Sequence, residues 1–358
     1  MLKAEYVIAP TEIDLVVFEK LIPAEHYLRR LKAAVDFERC RALVADCYAI
    51  GMGAPAEDPV RLLKLSLLQF HYDLSDSQVV RQAQVNVAFR FFLDLSLESA
   101  LPVPSLLSQF RTRLGEERFT QIFNEILHQA RTQGLVKDRL RLKDATHLIA
   151  NIAIPSTLRL VAQTREQVLS AAAGFAAAEV AAQRVAIDAM RTATADLSDE
   201  QRLLARVAQL RELVVWGEQW LQRLWVAAAG AQPLATDEHL AAFSTALNVA
   251  PKVLNDREPE ATDKLLSLAD VDARTGKHGA YYDGYLLDVS MDADSELICV
   301  VEVLPANGDE AANAKALITR EEAAQGNDIA SLSIDRIGYR GDVLAALSDE
   351  AEGPQLTV

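Results

Sequence analysis

Asp144 and Asp335 are the two residues whose type and position best suit chemistry. Asp144 lies in the segment 140–151, whose alternating pattern predicts a β-strand. Leu140 and Leu142 share one face of that strand with Asp144, and two basic residues lie on the other face. The pattern therefore predicts Asp144 in the position of a third core residue. Because an unpaired buried carboxylate is costly, we expect a cation, a metal ion or local solvent to compensate it.

Asp335 ends a second predicted strand, over residues 329–335. We expect the two aspartates at neighbouring strand ends of a mixed sheet, where they could share a pair of divalent cations. Mg²⁺ is often held by one or two protein carboxylates together with water and substrate phosphates. Two such ions would activate a water or a 3′-hydroxyl and stabilise the leaving oxygen of a phosphoryl displacement. Strand-end aspartates also occur in many other folds, so this pattern alone leaves the chemistry open.

Composition restricts the class of protein. The chain has 358 residues, half of them hydrophobic, which is enough for two to three domains with substantial cores. It has no apolar run long enough to cross a bilayer and no N-terminal signal pattern, and its three cysteines show no paired spacing. We therefore expect a cytoplasmic protein with no membrane partner.

The negative charge is unevenly distributed. The net charge is −15, but residues 1–143 hold 19 basic against 18 acidic residues, whereas residues 255–358 hold 8 against 22. The balanced first third is therefore the better candidate for a nucleic-acid surface. Arg111 and Arg113 lie near predicted helix starts there, where arginines and helix N-termini can hold DNA phosphates. An arginine on a helix can equally be a plain solvated residue.

The elements that must position these residues are a helical front, a strand, a helical insertion and a later set of strands. Residues 1–135 read as helices, with Ser105 or Ser108 as the cap of the helix that carries Arg111. A second helical stretch, about 158–250, is predicted to end in loop and one short helix. Its three tryptophans suit either a core or base stacking. From residue 270 the period changes to two, which predicts a hairpin, a helix from Asp309 and a strand.

Several ordered motifs resemble those of the DDE transposases of bacterial insertion sequences. In the second half they are Lys143–Asn151, Asp270–Lys277, Tyr282–Tyr285, Pro305–Asn307 with Asp309, and Ile334–Tyr339. In the first half, Ala56–Pro59, Leu62–Gln69, Leu74–Asp76, Phe89–Phe92 and Ser105–Arg111 resemble the helical N-terminal domain of the same family. The resemblance spans essentially the whole chain.

This resemblance implies a mixed α+β fold and a function. An all-helical DNA-binding domain, 1–135, would precede a ribonuclease-H-like α/β domain, 136–358, with a helical insertion at about 158–250. The implied activity is DNA cleavage and strand transfer with Mg²⁺ (or Mn²⁺) held by two aspartates and a glutamate. Asp144 matches the first acid and Asp335 the second, and Arg274 and Lys277 could contact the DNA backbone. The implied partners are terminal-repeat and target DNA, and we expect a homo-oligomer.

The chain departs from the family pattern after Asp335. The third acid of the family lies on a helix well beyond the second, and the only later glutamates here, Glu350 and Glu352, lack the surrounding motif. The sequence thus predicts a C-terminally truncated transposase, with weakened metal binding and activity in doubt. The alternatives are a non-catalytic DNA-binding product that regulates transposition, or a helical structural protein with a vestigial sheet.

Overall fold

The computed structural model describes residues 6, 10–49, 55–228, 234–258, 260–348 and 355–357. It is a mixed α+β structure, and its described part divides into two compact units. The first unit consists of the described residues of 1–141, 291–299 and 318–332. The second consists of those of 142–290, 300–317 and 333–358. None of the described helices combines the length and apolar character that crossing a bilayer requires.

The helices and strands are numbered in chain order. The helices are α1 Glu12–Leu21, α2 Tyr27–Ala34, α3 Arg39–Leu43, α4 Pro59–His71, α5 Asp76–Val85, α6 Val87–Phe92, α7 Ser105–Thr132, α8 Thr157–Ala172, α9 Ala177–Ala193, α10 Asp199–Ala228, α11 Asp237–Asn255, α12 Ala314–Gln325 and α13 Gly341–Ser348. The strands are β1 Arg141–Ile149, β2 Arg274–His278, β3 Ala280–Asp292, β4 Ile298–Pro305, β5 Ser331–Ser333 and β6 Gln355–Thr357.

Local signals explain where the helices of the first unit begin. The Asp58 carboxylate accepts a hydrogen bond from the Val60 N–H, and Pro59 occupies the first position of α4, where no N–H is needed. Ser75 and Gln78 form a reciprocal capping box at the start of α5. Helices α2–α7 contribute to one apolar core, in which α4 is buried along most of its length.

The predicted cap of α7 was wrong. The helix begins at Ser105 itself, after Pro104, and no side chain caps it. It is interrupted at Gly115, where φ is 61° and the backbone is not helical.

Most strand residues belong to the second unit. The sheet order is β2-β3-β1-β5-β6, with β4 also paired to β3. Strands β1 and β3 run antiparallel, because the Leu140 carbonyl accepts from the Ala293 N–H and the Ala150 N–H donates to the Asp283 carbonyl. Strand β2 is antiparallel to β3, with Arg274 opposite Gly284. The predicted hairpin is therefore present as β3 and β4.

Helices α8–α11 form the inserted bundle of the second unit. They share an apolar core to which each of the four helices contributes. The short helix predicted near the end of this stretch was wrong, because α11 has 19 residues and continues through Pro251. Burial of Phe243, Leu247 and Val253 on one face of α11 outweighs the missing backbone hydrogen bond at the proline.

The predicted burial of β1 was also wrong. Arg141 and Lys143 are the buried residues, Leu142 is half-buried and Asp144 is exposed. The reason is that each basic side chain meets buried carboxylates. In the first unit, the Arg141 guanidinium lies 2.8 Å from Glu321 and 3.0 Å from Asp292. In the second unit, Lys143 has a corresponding partner, described below.

Candidate active site

A small pocket in the second unit brings the two predicted acids together. Asp144 lies on β1, and Asp335 lies two residues beyond β5. The two strands are hydrogen-bonded neighbours. Both aspartates line one pocket with Lys143, Ala145, Glu310, Ala311, Ile334 and Gly338. Its volume, about 10 Å³, is close to that of one water-sized sphere.

The two aspartates are held differently from the expectation. Asp144 is the fourth residue of β1, not its last, and its carboxylate accepts a hydrogen bond from the Ala145 N–H at 2.9 Å. Asp335 follows the short strand β5 and leads into a single 3₁₀ turn, in which its carbonyl accepts from the Gly338 N–H at 3.0 Å. A side chain at Gly338 would collide with Ile334, since its Cβ would lie 2.2 Å from the isoleucine Cδ1. Glycine thus leaves room for the Ile334 side chain beside this turn.

Glu310 is a pocket residue that the sequence reasoning missed. It lies in the turns between β4 and α12, where a helix starting at Asp309 was predicted; α12 begins only at Ala314. Burial raises the pKa of Glu310, and the negative charges of Asp335, Asp288 and Asp144 add to that effect against the opposing charge of Lys143. The available signal was that Glu310 directly follows the motif Pro305–Asn307 with Asp309.

Lys143 is held by a chain of polar groups, of which Lys143 and Asp288 are buried and the rest are partly buried. Its ammonium lies 2.7 Å from Oδ1 of Asp288, and these side chains are 4% and 0% exposed. The other oxygen of Asp288 accepts a hydrogen bond from the Asn313 amide at 2.9 Å, and the same amide donates to Glu302 at 3.0 Å. Strands β1, β3 and β4 and the turn before α12 thereby fix the lysine beside the pocket.

The chemistry of the pocket suits a hard divalent cation. Carboxylate oxygens are the ligands that Mg²⁺ prefers, and one or two of them commonly suffice when substrate phosphates complete the shell. Within the described ranges, no three His, Cys, Asp or Glu side chains are arranged to hold a metal ion. The residues present therefore fit an ion held by two carboxylates better than one fully enclosed by protein. Glu350 and Glu352 lie outside the described residues.

The candidate DNA contacts of the first unit have different surroundings. Arg111 forms a salt bridge of 2.8 Å to Asp76, which lowers the pKa of that carboxyl, and it also bonds Gln69. Arg113 is exposed, and its guanidinium lies 4.6 Å from the centre of the Tyr48 ring. Arg111 therefore has an intramolecular role, whereas Arg113 presents its charge to solvent.

A similar contrast separates the candidates of the second unit. Arg274 pairs with Asp263 and lowers the pKa of that carboxyl to about 2. Lys277, on the same strand, is exposed, with its ammonium 5.4 Å from the centre of the Tyr281 ring.

The three tryptophans of α10 divide between core and surface. Trp216 and Trp220 pack against the apolar core of the inserted bundle, and both indole N–H groups donate to one oxygen of Glu179, at 2.7 and 2.8 Å. Trp225 is 59% exposed. A packing role therefore describes the first two.

Comparison with known protein families places part of the chain in a described family model. Residues 16–113 match the model of a family described as Transposase domain (DUF772). No curated protein and no solved structure matched the chain. The match supports a transposase family, and with it a DNA-processing enzyme in general.

Proposed function

We propose that this chain is a DDE-type insertion-sequence transposase that cleaves DNA and transfers strands with Mg²⁺ or Mn²⁺. Asp144 and Asp335 would hold the metal, and the DNA would be the terminal repeats and a target site, bound by a homo-oligomer. One observation carries the proposal: Asp144 on β1 and Asp335 in the turn after the neighbouring strand β5, far apart in sequence, line the same pocket. The transposase-domain match of residues 16–113 is independent support.

The pocket residues would have separate tasks. A bound divalent ion would supply activation of the attacking hydroxyl and stabilisation of the leaving oxygen. Asp144 and Asp335 would provide its ligands from two neighbouring positions of the fold, β1 and the turn after β5. Glu310 lines the same pocket, but within the described part of the chain the three acids are not arranged to hold one metal ion together.

The domain arrangement belongs to the same proposal. Residues 1–135 would form the DNA-binding domain, and residues 136–358 a ribonuclease-H-like catalytic domain interrupted by the bundle at about 158–250. Two features support this division: the apolar core shared by α2–α7, and a sheet in which the acid-bearing β1 is flanked by β3 and β5.

The direct test is DNA cleavage with purified full-length protein. With terminal-repeat DNA and Mg²⁺ or Mn²⁺, we expect nicking or strand transfer, and we expect Asp144→Asn and Asp335→Asn each to abolish it. Asp196→Asn, an exposed aspartate in the turn before α10, is the matched control and should retain activity. Activity that survives both pocket substitutions would contradict the assignment.

A non-catalytic DNA-binding product is the second candidate. It is favoured by the observation that the family match, residues 16–113, includes most of the residues that build the helical core. In that case the protein would bind terminal-repeat DNA in a salt-dependent way, with or without the two aspartates, and no cleavage would be found. Lack of any affinity for terminal-repeat DNA would exclude it.

A further inference from the structure

Lys143 is a cation built into a pocket that otherwise presents acids. Among the residues lining the pocket, Asp144, Asp335 and Glu310 are acidic and Lys143 is basic. The Lys143 ammonium forms a buried ion pair with Asp288, and Asp288 accepts a hydrogen bond from Asn313. Its charge is therefore buried next to the pocket, unlike that of a surface lysine.

Only the lysine of this ion pair belongs to the lining of the pocket. Lys143 lines the pocket, whereas Asp288 does not. The positive charge of Lys143 lowers the pKa of Glu310, and the negative charge of Asp288 raises it by a smaller amount. Although the pair is neutral as a whole, its net effect at Glu310 is therefore that of a positive charge.

We propose that Lys143 sets the affinity of this pocket for divalent cations, keeping it lower than the carboxylates of Asp144 and Asp335 alone would give. This inference rests on the proposed function, because it concerns the same pocket. Repulsion between the ammonium and a divalent ion opposes metal binding, and the low-dielectric surroundings of a buried lysine strengthen it. The same positive charge favours the phosphate of DNA, so the pocket would accept metal most readily together with its substrate.

The test is to titrate the full-length protein with Mn²⁺ in the absence of DNA. Electron paramagnetic resonance measures the concentration of the free ion and so gives the affinity. We expect Lys143→Met to bind Mn²⁺ about tenfold more tightly than the unaltered protein, as removal of one close positive charge requires. Lys143→Arg should match the unaltered protein. The double variant K143M/D288N should have an affinity between those of Lys143→Met and the unaltered protein, because it also removes a more distant negative charge. Asp288→Asn alone should bind Mn²⁺ more weakly than the unaltered protein.

This order of affinities separates a charge effect from a structural one. Damage to the fold would weaken Mn²⁺ binding in every variant, whereas the charge effect strengthens it in two of them. Circular dichroism identifies variants that do not fold, and K143M/D288N avoids the unpaired buried carboxylate that Lys143→Met leaves. Folded Lys143→Met and K143M/D288N proteins whose affinities are unchanged or weaker would overturn the inference.

Mn²⁺ binding by variants of the two aspartates shows separately whether the proposed function itself fails. If Asp144→Asn and Asp335→Asn leave Mn²⁺ binding unchanged, the metal site itself is wrong. If they weaken binding but the Lys143 variants do not strengthen it, only the role of Lys143 is wrong.

Discussion

At the scale of single residues, the charged groups that line the pocket differ in how well their charges are compensated. Lys143 has a buried partner in Asp288, whereas Glu310 is half-buried among other acids. A carboxyl in such surroundings is destabilised as an anion, which is the reason that its pKa rises. Unfavourable charge at such a pocket is a common feature of functional sites.

The first prediction concerns Glu310 and pH. Its pKa is raised in the folded protein, so its contribution to stability is present below the unfolded value near 4.5 and is lost as pH rises through the folded value. We therefore expect Glu310→Gln to increase the thermal midpoint at pH 7 relative to the unaltered protein, and to lose that advantage below about pH 4. Thermal denaturation across this pH range measures the difference.

The same variant tests the proposed role of the acid. If Glu310 is a third carboxylate of the pocket, Glu310→Gln should weaken Mn²⁺ binding while it stabilises the fold. A variant that is no more stable than the unaltered protein at pH 7 would contradict the first prediction whatever its metal affinity.

At the scale of elements, the position of Asp144 depends on how closely β1 and β3 approach. Gly284 of β3 has φ of 154°, and a Cβ there would lie 1.9 Å from the Leu148 carbonyl oxygen of β1. That contact cannot be relieved by a side-chain rotation, because the obstructing atom belongs to the backbone. The glycine therefore allows β1 and β3 to pair beyond Asp144.

The second prediction follows from this contact. We expect Gly284→Ala to destabilise the protein by more than about 2 kcal/mol, since it combines a strained backbone with a backbone collision. Gly279→Ala is the matched control: φ is also positive, at 72°, but nothing lies within 4 Å of the added Cβ, so a cost of about 1 kcal/mol is expected. Urea denaturation of both variants gives the comparison, and equal losses would show that the contact with β1 is unimportant.

At the scale of the whole molecule, an acidic protein is proposed to bind an acidic polymer. The net charge of −15 opposes this in general, so binding must depend on local positive charge. Arg113 offers an exposed guanidinium, whereas Arg111, two residues away, is committed to Asp76. These neighbouring arginines allow the two roles to be tested separately.

The third prediction compares them. We expect Arg113→Ala to weaken DNA binding and to lower the slope of log affinity against log salt concentration by about 1, the effect of losing one phosphate contact. Arg111→Ala should leave that slope unchanged and should cost stability of about 1 kcal/mol or less, because its salt bridge is only partly buried. Fluorescence anisotropy with terminal-repeat DNA over a range of salt measures both slopes. A lower slope for Arg111→Ala alone would reverse the assignment.

The sequence alone determined the elements whose signals are local. The Asp58-Pro59 start of α4, the Ser75 capping box of α5 and the turn between β3 and β4 each depend on residues within a few positions of one another. Such signals act through backbone hydrogen bonds and dihedral preferences, which need no knowledge of distant residues. Asp144 and Asp335 were also predicted from the sequence as candidate site residues, because strand patterns and family-like motifs surround each of them.

Only the tertiary structure decided which side chains these elements bury and which groups meet. Alternation in β1 predicted a leucine face inward, but the partners that bury Arg141 instead include Glu321, 180 residues later. Asp288 likewise pairs with the buried Lys143, 145 residues earlier in the chain. Glu310 lines the pocket from a turn that has no distinctive local pattern. A buried charge is tolerated only where an opposite charge is supplied across the fold, and no local pattern contains that information. The sequence therefore predicted two acids of the pocket, and the folded chain added the third acid and the lysine beside them.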